Sequence, residues 1–101
     1  MKKVVGLGAC VFDTLISCPR YADEDTKLAA TDVFTAAGGP VGNALVVMSG
    51  LGVSARLIGS LGGDNAAEYI INDFHKQGVA TDGAVTISGA RSFTSYILLS
   101  E

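Results

Sequence analysis

Residues 41–51 carry no charge, and apart from Asn43 and Ser49 every position is apolar or glycine. They follow Gly38-Gly39-Pro40, a combination that breaks a strand and opens a helix: a proline in the first helical turn needs no N–H, and its fixed φ suits that place. A surface helix normally shows one polar face, and this one has none. The pattern therefore predicts a helix buried all round and stopped at Gly50 or Gly52, which other elements must enclose.

The neighbouring segments fit such an enclosure. Residues 4–10 form an unbroken run of apolar residues and glycine, the pattern of a strand covered on both faces and central in a parallel sheet. Residues 11–17 contain a single charge, Asp13, and Cys18-Pro19 ends that strand by removing a ladder donor. Residues 28–36 return to strand character, with Thr31, Val33 and Thr35 on one alternating face. A second buried strand is expected over residues 55–60, followed by a turn at Gly62-Gly63-Asp64 in which Asp64 caps the next helix. In that helix Ala67, Ile70, Ile71 and Phe74 fall at i, i+3, i+4 and i+7 and form a core-facing stripe, and Gly78 closes it. Residues 84–88 and 92–100 read as two strands of a hairpin around Gly89-Ala90-Arg91. The order predicts an α/β fold, a parallel layer with helices plus a small antiparallel flap.

Composition narrows the possible partners. The chain is 49% hydrophobic and 17% charged, against a usual charged share of about 25%, so one small core with apolar surface left over is expected unless something covers it. A net charge of −3, with Lys and Arg dispersed apart from Lys2-Lys3, argues against nucleic acid and anionic membrane as partners. Only residues 4–9 precede Cys10 as an apolar run, too short for a secretory leader, and no run approaches the ~18 residues of a membrane span. Cys10 and Cys18 form no disulfide or metal pattern, and reduced thiols in a cytoplasmic protein are the expectation. The final apolar strand is followed only by Glu101. That ending suits either a piece of a larger fold or a complete domain whose last strand docks in a sheet.

Two features bear on chemistry. Asp13 alone is no more than a carboxylate near a strand end, and glycines before a helix commonly do nothing but turn the chain. Together they make a site. A helix start exposes free N–H groups, and glycines remove the side chains that would keep a ligand from them. Asn43 in the first turn offers both a donor and an acceptor, and Asp13 offers acceptors, a set suited to the hydroxyls of a polyol. Other motifs fail on the letters: Gly6-Leu7-Gly8 lacks the third glycine of a dinucleotide fingerprint, no GxxxxGK[ST] is present, and His75 has no metal-ligating partner at a suitable spacing.

The succession Gly8 to Asp13, Gly38-Gly39-Pro40-Val41-Gly42-Asn43-Ala44, Gly50-Leu51-Gly52, Leu57-Ile58-Gly59-Ser60-Leu61-Gly62-Gly63-Asp64 and Gly78-Val79-Ala80-Thr81-Asp82-Gly83 resembles the ribokinase-like (PfkB family) carbohydrate kinases over essentially the whole chain. The resemblance implies a ribokinase-like central sheet flanked by helices, with a small β-strand lid built from strands at about 11–17, 28–36, 84–88 and 92–100. It makes residues 1–101 the N-terminal part of a single domain. It implies ATP-dependent phosphorylation of a sugar hydroxyl with ATP and Mg²⁺, sugar contacts from Asp13, from the backbone at Gly38 and Gly39 and from Asn43, and a homodimer through the lid strands. The family's catalytic aspartate in a GxGD turn and its neighbouring anion hole have no match here, so the chain is expected to hold the acceptor half and to lack kinase activity alone. Two positions depart from ribokinases: Val11 stands where they carry asparagine, and Pro40 where lysine is frequent. Phe93, Thr94 and Tyr96 on the lid are expected to pack rather than touch sugar. A non-catalytic sugar-binding or assembly module and a nucleoside kinase fragment remain the alternatives.

Overall fold

A computed structural model describes residues 2–101. The elements in chain order are β1 (Lys3–Leu7), β2 (Val11–Cys18), β3 (Asp32–Gly38), α1 (Pro40–Gly50), β4 (Ser54–Gly62), α2 (Asn65–Lys76), β5 (Val79–Ile87) and β6 (Phe93–Ser100). They divide into two sheets. The first is parallel, in the order β1-β4-β5. In the second, β2 lies between β3, which runs antiparallel to it, and β6, which runs parallel to it.

Both helices pack on one face of the parallel sheet. Ala55, Leu57 and Leu61 alternate toward that face along β4 and form a single core with Leu45 of α1, Ala67, Ile70 and Phe74 of α2, and Val79 of β5. The stripe read at Ala67, Ile70 and Phe74 is the buried face of α2, and Ile71 packs at its margin. Close packing dictates the small residues opposite: a Cβ on Gly42 would enter the Phe74 ring, and one on Gly6 would meet Val41 Cγ1 at 2.7 Å.

Three sequence expectations are corrected. β1 is not central but stands at the edge of its sheet, with β4 in the middle. Nor is β1 covered on both faces: Val5 and Leu7 pair with Arg56 and Ile58 on the face away from the helices, and Leu7 is 75% exposed. α1 is not buried all round either, because only Gly42 and Leu45 are fully enclosed, whereas Val47 is 62% exposed. The reason is common to all three. A run without polar residues marks surface that must avoid water, and it does not say which other segment covers it.

A fourth correction concerns the expected hairpin at residues 84–88 and 92–100. β5 extends through Ile87 in the parallel sheet, and β6 crosses to the second sheet, where it pairs with β2. Asp64 is bonded to the loop at this crossing. Its carboxylate caps α2 by accepting from the Ala67 N–H at 3.0 Å, and it also accepts from the Ser92 N–H and the Ser92 hydroxyl, both at 2.8 Å. Ser92 Oγ in turn accepts from the Gly62 N–H at 3.0 Å. The loop runs so close that a Cβ on Gly62 would lie 2.5 Å from Ala90 O, Arg91 C and Ser92 N. The glycine loop that resembled a hairpin turn is thus fastened to the start of α2.

These hydrogen bonds, the two from Ser92 foremost and then that from Ala67, hold the Asp64 carboxyl below the usual aspartate range. A depressed folded-state value stabilises the fold at pH above the unfolded value of about 3.9, and that contribution is lost as pH falls through the folded value. Scanning calorimetry at stepped pH should show the wild-type midpoint falling more steeply below pH ~4 than that of Asp64→Asn. Parallel slopes would remove Asp64 from the acid response.

Candidate functional site

The second sheet sets the site residues in register. Asp13, in the middle strand, faces Ala36 on β3 and Ser95 on β6. Paired residues share a face, so these three form one row across the sheet. The row on one side is Gly38, Val11 and Phe93, and the row on the other is Phe34, Leu15 and Ile97. Asp13 and Ser95 thus form a polar row between two rows without polar side chains, and the Ser95 hydroxyl donates to Asp13 Oδ1.

The glycine turn brings the helix to this row. Gly38 is buried at the end of β3, and a Cβ there would collide with Asp13 Oδ2, with Asn43 Oδ1 4.0 Å from the same point. The carboxylate and the amide oxygen thus both lie near Gly38. Gly39 is the N-cap of α1 with φ 101°, and a Cβ there would also lie 2.7 Å from Ala9 O, so its glycine is required twice over. No side chain caps this helix end. The first intrahelical bond from this end runs from Asn43 N–H to Gly39 O at 2.9 Å, so the Val41 N–H before it has no intrahelical partner.

Helix α2 fastens the second sheet over this turn. Tyr69 donates its hydroxyl to Thr35 O at 2.9 Å, Asp73 Oδ2 accepts from the Ala37 N–H at 3.3 Å, and the Phe12 ring meets Tyr69 edge-on at 4.7 Å. These contacts hold β3, and with it Gly38, against the body of the fold. The C-terminal ends of parallel β1 and β4, where α/β sheets commonly place ligands, border a cavity of about 220 Å³ lined by Leu7, Gly8, Ala9, Gly59, Ser60 and Phe93. Phe93 links that cavity to the Asp13 face of the second sheet. A second cavity, of about 320 Å³, sits at the start of α2 beside Asp64 and Glu68 and includes none of the predicted residues.

Among the aromatic and hydroxyl residues of β6, the structure separates what the sequence could not. Phe93 shares the face of Asp13, while Thr94 and Tyr96 point to the opposite face. The expected packing is not seen, since Phe93 is 65% and Tyr96 74% exposed. Ser95 is the residue that sequence reasoning missed. Nothing in the letters sets a serine against an aspartate 82 positions away until the register of β2 and β6 is known.

Comparison with known proteins accords with this architecture. The chain is 26% identical over its full length to ribokinase of Bacillus subtilis (strain 168), of which it covers 34%, and 30% identical over 78 residues to ketohexokinase of Mus musculus, of which it covers 26%. Superposed on the crystal structure of a ribokinase-like protein from Agrobacterium tumefaciens it gives a TM-score of 0.92 at 30% identity, covering 98% of this chain and 32% of that one. Arabidopsis thaliana ribokinase, complexed with ribose and ATP, shares the fold with a TM-score of 0.84 at 21% identity, over 98% of this chain and 32% of that one. The chain thus spans about a third of the length of the relatives it matches. The profile of the pfkB family carbohydrate kinases matches residues 1–101, and the chain belongs to that family.

Proposed function

We propose that this chain forms the acceptor pocket of an ATP-dependent sugar kinase, with Asp13, the backbone at Gly38 and Gly39, and Asn43 gripping sugar hydroxyls beneath a lid made of β2, β3 and β6. The observation that carries the reading is the meeting of the Asp13 carboxylate and the Asn43 amide at the vacant Cβ position of Gly38. A carboxylate accepts hydrogen bonds from hydroxyls, and an amide both gives and takes them, so the pair selects neighbouring hydroxyls on a small polyol. The kinase names of the relatives, and the ribose and ATP held by the Arabidopsis ribokinase, supply the reaction class.

The chain's own part is to bind and orient the acceptor. ATP with Mg²⁺ would supply the phosphoryl group and the charge neutralisation of its transfer. Among the described residues no group of three or more His, Cys, Asp or Glu side chains could hold a metal ion. In this reading ATP and Mg²⁺ are held by parts of the family fold outside the third that this chain spans. The 101-residue chain should show no phosphoryl transfer alone.

Calorimetric titration with ribose, fructose and a nucleoside tests the pocket directly. Binding of one of these should weaken ~30-fold or more in Asp13→Ala, the effect of removing a charged hydrogen-bond acceptor. An unchanged affinity, or no binding by the wild type, would sink the acceptor-pocket reading. Sugar-dependent turnover of ATP by the chain alone would overturn the division of labour.

A further inference from the structure

We infer that Ser95 is a positioning residue of this pocket: its hydroxyl holds the Asp13 carboxylate in one orientation, so that one oxygen is engaged by Ser95 and the other is presented at Gly38 toward Asn43. The inference rests on the acceptor-pocket reading for its functional consequence, though not for its geometry. Ser95 Oγ donates to Asp13 Oδ1, and Oδ2 lies against the side of Gly38 where a Cβ would stand. Among the described residues Ser95 is the only hydrogen-bond partner of that carboxylate.

The neighbouring rows explain why one hydroxyl suffices. Val11, Phe93 and Gly38 on one side, and Leu15, Ile97 and Phe34 on the other, provide no side chain that could hold the carboxylate in their place. Asp13 is also only partly buried, so water competes for any oxygen left free. A carboxylate without a fixed partner samples more than one rotamer, and each ligand encounter must then pay the entropy of fixing it. With Ser95 in place that entropy is lost on folding, before the ligand arrives. The serine hydroxyl keeps its lone pairs when it donates to Asp13. It can therefore accept from a second ligand hydroxyl beside the one bound by Oδ2, which narrows the ligand to a compound with adjacent hydroxyl groups.

Two substitutions of equal shape separate positioning from mere strand fit. Ser95→Thr keeps the hydroxyl and Ser95→Val removes it, while both are β-branched and suited to a strand. Three-bond couplings across the Asp13 side chain, measured by NMR on the whole chain, should report one χ1 rotamer in the wild type and in Ser95→Thr, and averaging in Ser95→Val. In parallel, sugar affinity should stay within about twofold for Ser95→Thr and fall ~10-fold for Ser95→Val, the worth of one hydrogen bond to a charged group. A single unchanged rotamer in Ser95→Val, or equal affinities for the two variants, overturns the assignment. Sugar binding absent from the wild type defeats the pocket reading, and the couplings still decide whether Ser95 orients Asp13.

Discussion

Gly38→Ala is expected to weaken sugar binding about 30-fold, as Asp13→Ala does, while leaving the melting temperature within a few degrees of the wild type. The two halves of that result have separate causes. Gly38 does not have a positive φ, so its backbone accepts alanine without strain. The new methyl, however, would occupy the space that the Asp13 carboxylate holds at present. The carboxylate is the short end of a side chain and can swing aside, which spares the fold. Swinging aside breaks its bond with Ser95 and carries Oδ2 away from Asn43, so the ligand loses its hydrogen bond to a charged acceptor. Gly39→Ala should differ, because φ 101° and the Ala9 carbonyl 2.7 Å from the new Cβ strain the turn itself. Paired calorimetric titration and thermal unfolding distinguish the two. Wild-type affinity in Gly38→Ala would mean that the Asp13 carboxylate takes no part in holding the ligand.

Phe74→Ala should destabilise the chain by about 3–5 kcal/mol, a large share of the roughly 5–15 kcal/mol that holds a domain together. Its ring is 1% exposed and belongs to the core formed with Leu45, Leu57, Ile70 and Val79. Removing it takes away both its transfer from water and the contacts of the atoms around it, in particular the α1 backbone at Gly42, which approaches the ring because that position has no side chain. Gly42→Ala should destabilise as well, by overpacking of about 1–3 kcal/mol. Phe74→Leu should tolerate that methyl better than the wild type does, since the two sites share one volume. Urea unfolding followed by circular dichroism measures each variant. A loss below about 1 kcal/mol for Phe74→Ala would show that α2 does not depend on this contact for docking.

These two glycines show where sequence reasoning reaches and where it stops. That a turn at Gly38-Gly39-Pro40 opens a helix was legible, because proline and glycine act through their own backbone preferences. Which atom uses the space left by each glycine was not legible. At Gly38 it is a carboxylate oxygen from β2, and at Gly42 a ring from α2. Asp13 and Asn43 could be named as candidates because a carboxylate and an amide near a free helix end suit polyol hydroxyls, and because the glycine spacing resembles that of the family. Ser95 could not, since a serine in an apolar strand is unremarkable until its neighbour is known.

Local periodicity and turn chemistry thus determined α2 and its buried stripe, α1 and its glycine entry, and strands at residues 11–17 and 92–100 that match β2 and β6 closely, whereas β3 begins at Asp32 rather than at residue 28 and β5 at Val79 rather than at residue 84. The tertiary structure alone decided that β4 rather than β1 is central, that one side of α1 stays exposed, and that β6 leaves the parallel sheet to pair with β2. The physical reason is that propensity and pattern are properties of neighbouring residues, whereas the partner of a strand is chosen by contacts between distant ones. Here Asp64 bonds to Ser92, 28 positions apart, where the chain crosses to the second sheet, and the pairing of β6 with β2 sets Ser95 beside Asp13.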